Sequence, residues 1–558
     1  MKRREIIKTL SAIPVAGGMM SIEPFVTSEI QKKPVSDAGL LSNPAEGALA
    51  LGPQIYQSIG VEPVINCKGT FTAVGGSVEL SEVRKAVDYA SQNYVYIDEL
   101  AMAVGKRLAA ITGAEWGMVS SGCAAGMKHV TIACLTDGDP EKLVRVPDLT
   151  GFTKTEVIAP RYSRNQYDHA IRNAGIKLIT VDTMDELKNA ISSRTAMIYL
   201  FSAPQEYNEG PLSVDNVAAV AKEKNIPILV DAAAEVLTIP NIHLKRGATI
   251  VAYSGGKAIR GPQCAGLLLG KKDLLFAAWQ ASSPHHGPGR DNKVGKEEHI
   301  GMLAAVETWV KRNHPEEEKT WISWLEYISK KVTTVNGVST KITEPQGVDN
   351  RTARLSISWD PAALNITAEE VAADLAENKP RIVIGGGRTN PREGTTSISI
   401  SAHMMLPGDE KVVADRIYKI LAQKHEKKEV VVEPPAAVLS GNWDVSVEYY
   451  SGKGEHKLIL GKQEGNDIRG THKSTFSMLD IAGKIEGKKV RLQSSYRDNA
   501  ETVPFTFDGV IDGDSFSGVL YLGEYRSANF IAKRSESRQR PVNNITVPSY
   551  GGKKSDSW

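Results

Sequence analysis

Five short stretches of this chain, 178–181, 196–201, 226–230, 250–253 and 266–270, are apolar at nearly every position, and segments of helical periodicity such as 214–224 lie between them. A strand without a polar face cannot give one side to water, so it belongs in a sheet covered on both sides by the intervening helices. The pattern predicts an α/β fold with a mostly parallel sheet, and such sheets bind ligands beyond the carboxyl ends of their strands. With 558 residues, 41% of them hydrophobic, the chain has room for two or three cores, and its net charge of +2 gives nucleic acid no electrostatic footing. Past the first 30 or so residues, no apolar run reaches the roughly 20 residues that a membrane-spanning helix needs.

Two polar residues stand at strand ends of this pattern. Asp231 closes the third run in Asp231-Ala-Ala-Ala-Glu235, and Lys257 follows the fourth in Tyr253-Ser-Gly-Gly-Lys257-Ala-Ile-Arg-Gly-Pro-Gln263. A lysine attacks an aldehyde only as the free amine, so it must sit where its charge is disfavoured, and Gly255 and Gly256 leave space beside it for a flat ring. An aspartate nearby keeps a ring nitrogen protonated. Together they are the protein's half of pyridoxal phosphate chemistry, with Lys257 and Asp231 as the catalytic pair. Either residue alone reads equally well as a surface lysine or a strand-end cap; order and context carry the assignment.

A third element fits the same cofactor. Val119-Ser-Ser-Gly-Cys-Ala-Ala-Gly-Met-Lys128 reads as a strand end, a turn of small residues and a helix start. Backbone N–H groups at Ser121, Gly122, Cys123 and Ala124 can approach a phosphate there, helped by the helix dipole, and Ser254 can add a hydroxyl.

These motifs, with Gly60-Val-Glu-Pro-Val-Ile-Asn66, Gly69-Thr-Phe-Thr72, Gly75-Gly-Ser77, Thr112-Gly-Ala114, Gly261-Pro-Gln263 and Lys293-Val-Gly-Lys-Glu-Glu298, run through residues 55–424. That segment resembles the fold-type I pyridoxal phosphate enzymes, within them the group of selenocysteine synthase and D-glucosaminate-6-phosphate ammonia-lyase, and its Ser-Gly-Gly-Lys and Gly-Pro-Gln pieces are more similar to the ammonia-lyase branch. The resemblance implies a cofactor-binding large domain over 52–310 and a small α+β domain over 311–425. It also implies an active site at a subunit interface, hence a homodimer or higher homo-oligomer. The loop Gly287-Pro-Gly-Arg290-Asp-Asn-Lys293 is similar to the family segment near that shared site, which makes Arg290 or Lys293 a candidate anion contact. Relatives tend to carry a carboxylate-binding arginine near the last strand of the small domain. Here His403 stands at about that place, so the role passes to Arg388, Arg381 or Arg392, whose guanidinium forks suit a carboxylate.

The chain begins Met1-Lys-Arg-Arg4 and continues into a weakly apolar segment, the form of a twin-arginine export signal, so residues 1–51 are expected to be signal and linker and the protein periplasmic or exported. Cys67, Cys123, Cys134 and Cys264 show neither Cys-x-x-Cys nor metal spacing and read as small buried residues. No metal is expected, and His285, His286 and His299 are assigned to a loop near the active-site mouth. After a linker over 426–438, seven short alternating strands with glycine turns imply an antiparallel barrel or sandwich over 439–536, similar to a small lipocalin-like barrel and with a packed interior. Residues 537–558 read as a disordered tail.

Taken with the resemblance, these features imply an exported lyase that removes water and ammonia from a 2-amino-3-hydroxy acid, such as an amino sugar acid, leaving a 2-keto-3-deoxy acid. A racemase would use the same Lys257 and the same carbanion. A non-catalytic binding protein built around the barrel is the alternative of another class, and the presence of both Lys257 and Asp231 weighs against it.

Overall fold

The structure is a computed structural model that describes residues 49–390, 394–427, 432–496 and 502–535. The export signal expected at Arg3-Arg4, Arg392 and the tail expected at 537–558 lie outside the described residues. Contacts divide the chain into an α/β unit built on 64–389 and 395–423 and a second unit that holds the barrel.

Thirteen strands belong to the first unit: β1 (Ile65–Cys67), β2 (Trp116–Ser120), β3 (Glu156–Pro160), β4 (Lys177–Val181), β5 (Thr195–Phe201), β6 (Ile228–Asp231), β7 (Ile250–Ser254), β8 (Gly266–Gly270), β9 (Ser339–Thr343), β10 (Arg354–Trp359), β11 (Ile382–Ile384), β12 (Gly387–Asn390) and β13 (Thr395–Ser401). The seven-stranded central sheet has the order β2-β8-β7-β6-β5-β3-β4. Its pairings are parallel from β4 through β7, and β8 alone runs against its neighbours β7 and β2. The reason is chain length: only residues 255–265 separate β7 from β8, too few for the crossover helix that a parallel neighbour requires.

One consequence governs the site. The carboxyl ends of β2, β6 and β7, which carry Ser121, Asp231 and Lys257 just at or beyond them, lie at the same edge of the sheet, as such sheets arrange their ligand sites. The helix Gly122–Thr136 is buried from Ala125 to Thr136, and a helix without a polar face belongs inside a core.

The C-terminal part of this unit is an α+β layer. Its sheet has the order β12-β13-β10-β9, and the helices His314–Val332, Ala368–Glu377 and Asp409–Ala422 supply Leu325, Ile328, Val371, Val413 and Ile417 to a core with Leu355 and Ile357. The N-terminal β1 pairs in parallel with β11, Asn66 opposite Val383, so the start of the unit is tied into this layer. The helix Lys296–Trp309 leads into this layer. A second helix, His314–Val332, follows at once with Asn313 as its cap and Pro315 in its first turn.

The second unit contains a closed barrel of eight antiparallel strands, β14 (Gly441–Glu448), β15 (Lys453–Leu460), β16 (Asp467–Lys473), β17 (Met478–Glu486), β18 (Lys489–Ser494), β19 (Thr506–Asp512), β20 (Ser515–Tyr521) and β21 (Ser527–Arg534). The sequence pattern gave seven of these. β21 closes the barrel on β14, Val445 opposite Ala532, and it escaped notice because outward-facing Ile531 breaks the polar half of its alternation. Trp443, Phe507, Phe516 and Phe530 fill the interior. Near one end, buried His456 and His472 meet Nδ1 to Nε2 at 3.0 Å, with Tyr449 on the other nitrogen of His456. Burial, and then His456, hold His472 down to about 3, so the pair packs among aromatic rings as neutral imidazoles.

Candidate active site

Asp231 is 1% exposed at the end of β6. A buried carboxylate is stable only when its oxygens are occupied. Tyr199 donates its hydroxyl to Oδ2 at 3.1 Å, the Ala233 N–H donates to Oδ1 at 3.1 Å, and the Cys123 thiol lies 3.7 Å from Oδ1. Burial raises the Asp231 carboxyl; the Ala233 N–H, the Lys257 charge, Tyr199 and Cys123 oppose that rise. Cys123 and Tyr199 are themselves pushed well up, by burial first and then by the Asp231 charge, so both stand as neutral donors. Tyr199 is one residue that the sequence pattern hid: it lies within an apolar strand, where its only signal was that a buried tyrosine hydroxyl must find a partner.

Lys257 lies on a turn between β7 and β8 whose shape is set by glycines. The Gly255 N–H donates to Ala265 O at 2.8 Å and the Gly261 N–H to Gly255 O at 2.8 Å, while the Arg260 N–H reaches Lys257 O at 3.0 Å. The Gln263 side chain is wedged between Gly76 and Gly256, and a Cβ on either glycine would run into its amide. Gly76, Gly256 and Gln263 are thus three faces of one contact. Ser254, at the end of β7, donates its N–H to Ala233 O at 3.4 Å, which joins the lysine strand to the aspartate strand.

The phosphate-sized element is at β2. Ser121 precedes the helix Gly122–Thr136 without capping it through its side chain, and Gly122 adopts φ +81°, where a Cβ would meet nothing within 4 Å. Open space at the amino end of a 15-residue helix suits an anion. Behind the helix start, Gly266 touches the backbone of Gly122 and Cys123 so closely that no Cβ fits. The donor set therefore fits pyridoxal phosphate: Lys257 for the aldehyde, Asp231 for the ring nitrogen, and the 121–124 turn for the phosphate.

The remaining expected residues are placed differently. The loop over 287–293 packs on the same helix, with Gly289 against His129 and the Lys128 ammonium donating to Asp291 at 2.8 Å and to Asn292 at 3.0 Å. Arg290 and Lys293 are exposed on it. Arg381 donates its Nε to Ala376 O at 2.7 Å, at the end of the helix Ala368–Glu377, and Arg388 is exposed on β12. His403 lies against Gly69 with its ring edge-on to Trp321, and burial, Arg354 and Arg260 hold it down to about 4. Half-buried Arg354 at the start of β10 and Arg260 are thus cations near His403 that the sequence pattern did not single out. His285 and His299 are not brought together as ligands; both set their rings edge-on against Trp279. Among the described residues no group of three metal-binding side chains occurs. Three cysteines are buried as expected, whereas Cys264 is exposed because the turn over 255–265 carries it outward.

A family model described as Cys/Met metabolism PLP-dependent enzyme matches residues 81–290. D-glucosaminate-6-phosphate ammonia lyase of Salmonella typhimurium is 29% identical over 334 residues, 58% of this chain and 87% of that protein. A Streptomyces 5'-C-glycyluridine monooxygenase-decarboxylase is 26% identical over 382 residues, 66% of this chain and 92% of that protein. Among solved structures, that of D-glucosaminate-6-phosphate ammonia-lyase superposes with a TM-score of 0.59 at 27% identity and covers 67% of this chain and 100% of its own.

The close contact behind the helix start gives a test of the phosphate assignment. Gly266→Ala must push the backbone of Gly122 and Cys123 outward. Overpacking of this kind costs about 1–3 kcal/mol, so cofactor affinity is expected to fall about ten- to a hundredfold. Equilibrium titration of cofactor-free protein, followed by absorbance, checks this; unchanged affinity means that the phosphate is held elsewhere.

Proposed function

We propose that this chain, a fold-type I pyridoxal phosphate-dependent enzyme related to D-glucosaminate-6-phosphate ammonia lyase, is an exported ammonia-lyase converting a 2-amino-3-hydroxy acid into a 2-keto-3-deoxy acid. The observation that carries this reading is the buried Asp231 carboxyl under the influence of Lys257, in a chain similar along most of its α/β unit to an ammonia-lyase. The bound cofactor supplies an electron sink that acidifies the hydrogen on the amine-bearing carbon. Asp231, oriented by Tyr199, Cys123 and the Ala233 N–H, would supply the negative charge that partners the ring nitrogen. Lys257 Nζ takes the α proton. Water leaves from the β carbon and is regained when the amine is hydrolysed away, so the net loss is ammonia. The carboxylate of the substrate is assigned to Arg388, Arg381 or Arg290, with half-buried Arg354 near His403 as a further candidate.

An export signal at Arg3-Arg4 supports a periplasmic location, where phosphorylated sugars are scarce, and hence an unphosphorylated amino sugar acid as substrate. A homodimer is supported by exposed Tyr94, Val95 and Tyr96 between the helices Ser81–Ser91 and Ile97–Thr112, with exposed Tyr89 in the last turns of the first helix.

Purified protein incubated with a panel of 2-amino-3-hydroxy acids is expected to release ammonia and an equal amount of 2-keto acid, and Lys257→Ala to release none. An enantiomer instead of a keto acid would identify a racemase. Cells carrying Arg3→Lys with Arg4→Lys are expected to retain that activity in the cytoplasmic fraction; activity still outside it rejects the export signal. Sedimentation of Tyr94→Ser with Tyr96→Ser should show monomer where the unaltered chain shows dimer, and a monomeric unaltered chain rejects the shared site.

A further inference from the structure

The stretch between β9 and β10 returns to the active site. The Val236 N–H donates to Val348 O at 2.9 Å and the Asn350 N–H donates to Ala234 O at 2.9 Å. Between them, Asp349 stands opposite Glu235 in an isolated antiparallel bridge. Residues 234–236, which follow Asp231 by three positions, are thus zipped along 348–350, and half-buried Asp349 is held beside them by backbone on both sides. Its Oδ2 accepts from Asn350 Nδ2 at 3.1 Å. The groups whose charges act on it are Glu235, Lys257 and Asp231, the last two being the residues assigned to the cofactor.

Behind Asp349 runs a buried chain of protonatable groups. Glu235 is 2% exposed and its Oε2 meets His243 Nε2, while His243 Nδ1 meets the Tyr207 hydroxyl at 2.7 Å. The second oxygen of Glu235 is buried without a partner among the described residues. Burial raises the Asp349 carboxyl, and Glu235 and Asp231 add to the rise against Asn350 and Lys257.

Loss of a β-hydroxyl needs two proton transfers, one from the α carbon and one to the departing oxygen, since hydroxide is a poor leaving group. Lys257 is the base of the first transfer. We propose that Asp349 is the acid of the second and donates its proton to the β-oxygen of the substrate. The inference rests on the ammonia-lyase reading above. Lys257 Nζ receives the α proton and the electrons of that C–H bond form the Cα–Cβ double bond. The C–O bond breaks with its pair on oxygen, and the Asp349 proton completes a water molecule. Because Asp349 is only half-buried, solvent restores its proton.

The test compares two leaving groups on one amino acid skeleton. For the hydroxy substrate, Asp349→Asn is expected to lower kcat for ammonia release by about 10²–10⁴-fold, the usual worth of a positioned acid. The same variant should exchange the α hydrogen with deuterated water as the unaltered enzyme does, and should eliminate chloride from the β-chloro analogue, which needs no protonation, at the unaltered rate. Equal losses on both substrates and in exchange would show a merely structural role, and unchanged ammonia release would show none; either overturns the proposal. If the unaltered enzyme eliminates chloride yet releases ammonia from no hydroxy acid, the lyase reading fails and takes this role with it.

A second measurement needs no cofactor. A carboxyl raised in the folded state contributes stability that is full below its unfolded value of about 3.9 and is lost as pH rises through the folded value. The denaturant midpoint of cofactor-free protein should therefore fall over that window, with Glu235, Asp231, Lys257 and Asn350 as the groups facing Asp349. Asp349→Asn should flatten the fall, and an unaltered slope would contradict the protonated acid.

Discussion

A carboxyl group that is 1% exposed at the end of a sheet strand is the constraint around which the α/β unit is arranged. Removing an isolated carboxylate from water costs several kcal/mol even after relaxation, so Asp231 is sustainable only with donors and a cation close by. The donors come from three directions: Tyr199 from the adjacent β5, Cys123 from the helix that follows β2, and the Ala233 N–H from its own turn. The cation is Lys257, beyond the other neighbour of β6. The strand order β2-β8-β7-β6-β5 is what lets these residues meet.

Close packing fixes the same site from outside. Gln263 occupies the space that two glycines leave, and Gly266 lets β8 lie against the start of the helix Gly122–Thr136. The short β7–β8 connection makes β8 antiparallel, and that brings Gly266 back beside Ser120 and the turn that follows it. The lysine turn and the phosphate turn are therefore two ends of one hairpin-and-helix contact, so neither can shift alone. Interiors at crystal-like density transmit such shifts rather than absorbing them.

How much of this was legible in the sequence depended on range. The apolar runs located β4 to β8 to within a residue or two, because burial on both faces writes itself into every position. Lys257, Asp231 and the 121–124 turn were legible because each is a local pattern at a strand end. Tyr199 and Asp349 were not: Tyr199 is masked by the apolar strand around it, and Asp349 reaches the site only because residues 348–350 pair with 234–236, a long-range contact without local periodicity. Arg381 illustrates the converse, since its guanidinium suits a carboxylate yet donates to the carbonyl of Ala376. In the barrel, inward alternation identified seven strands, and exposed Ile531 concealed the eighth.

The central claim is that Lys257 bears the cofactor. Borohydride treatment of the cofactor-loaded protein, followed by digestion and mass mapping, measures it directly. The account predicts one stable cofactor adduct, on the peptide containing Lys257, and its absence in Lys257→Ala; an adduct mapped to any other lysine would contradict it.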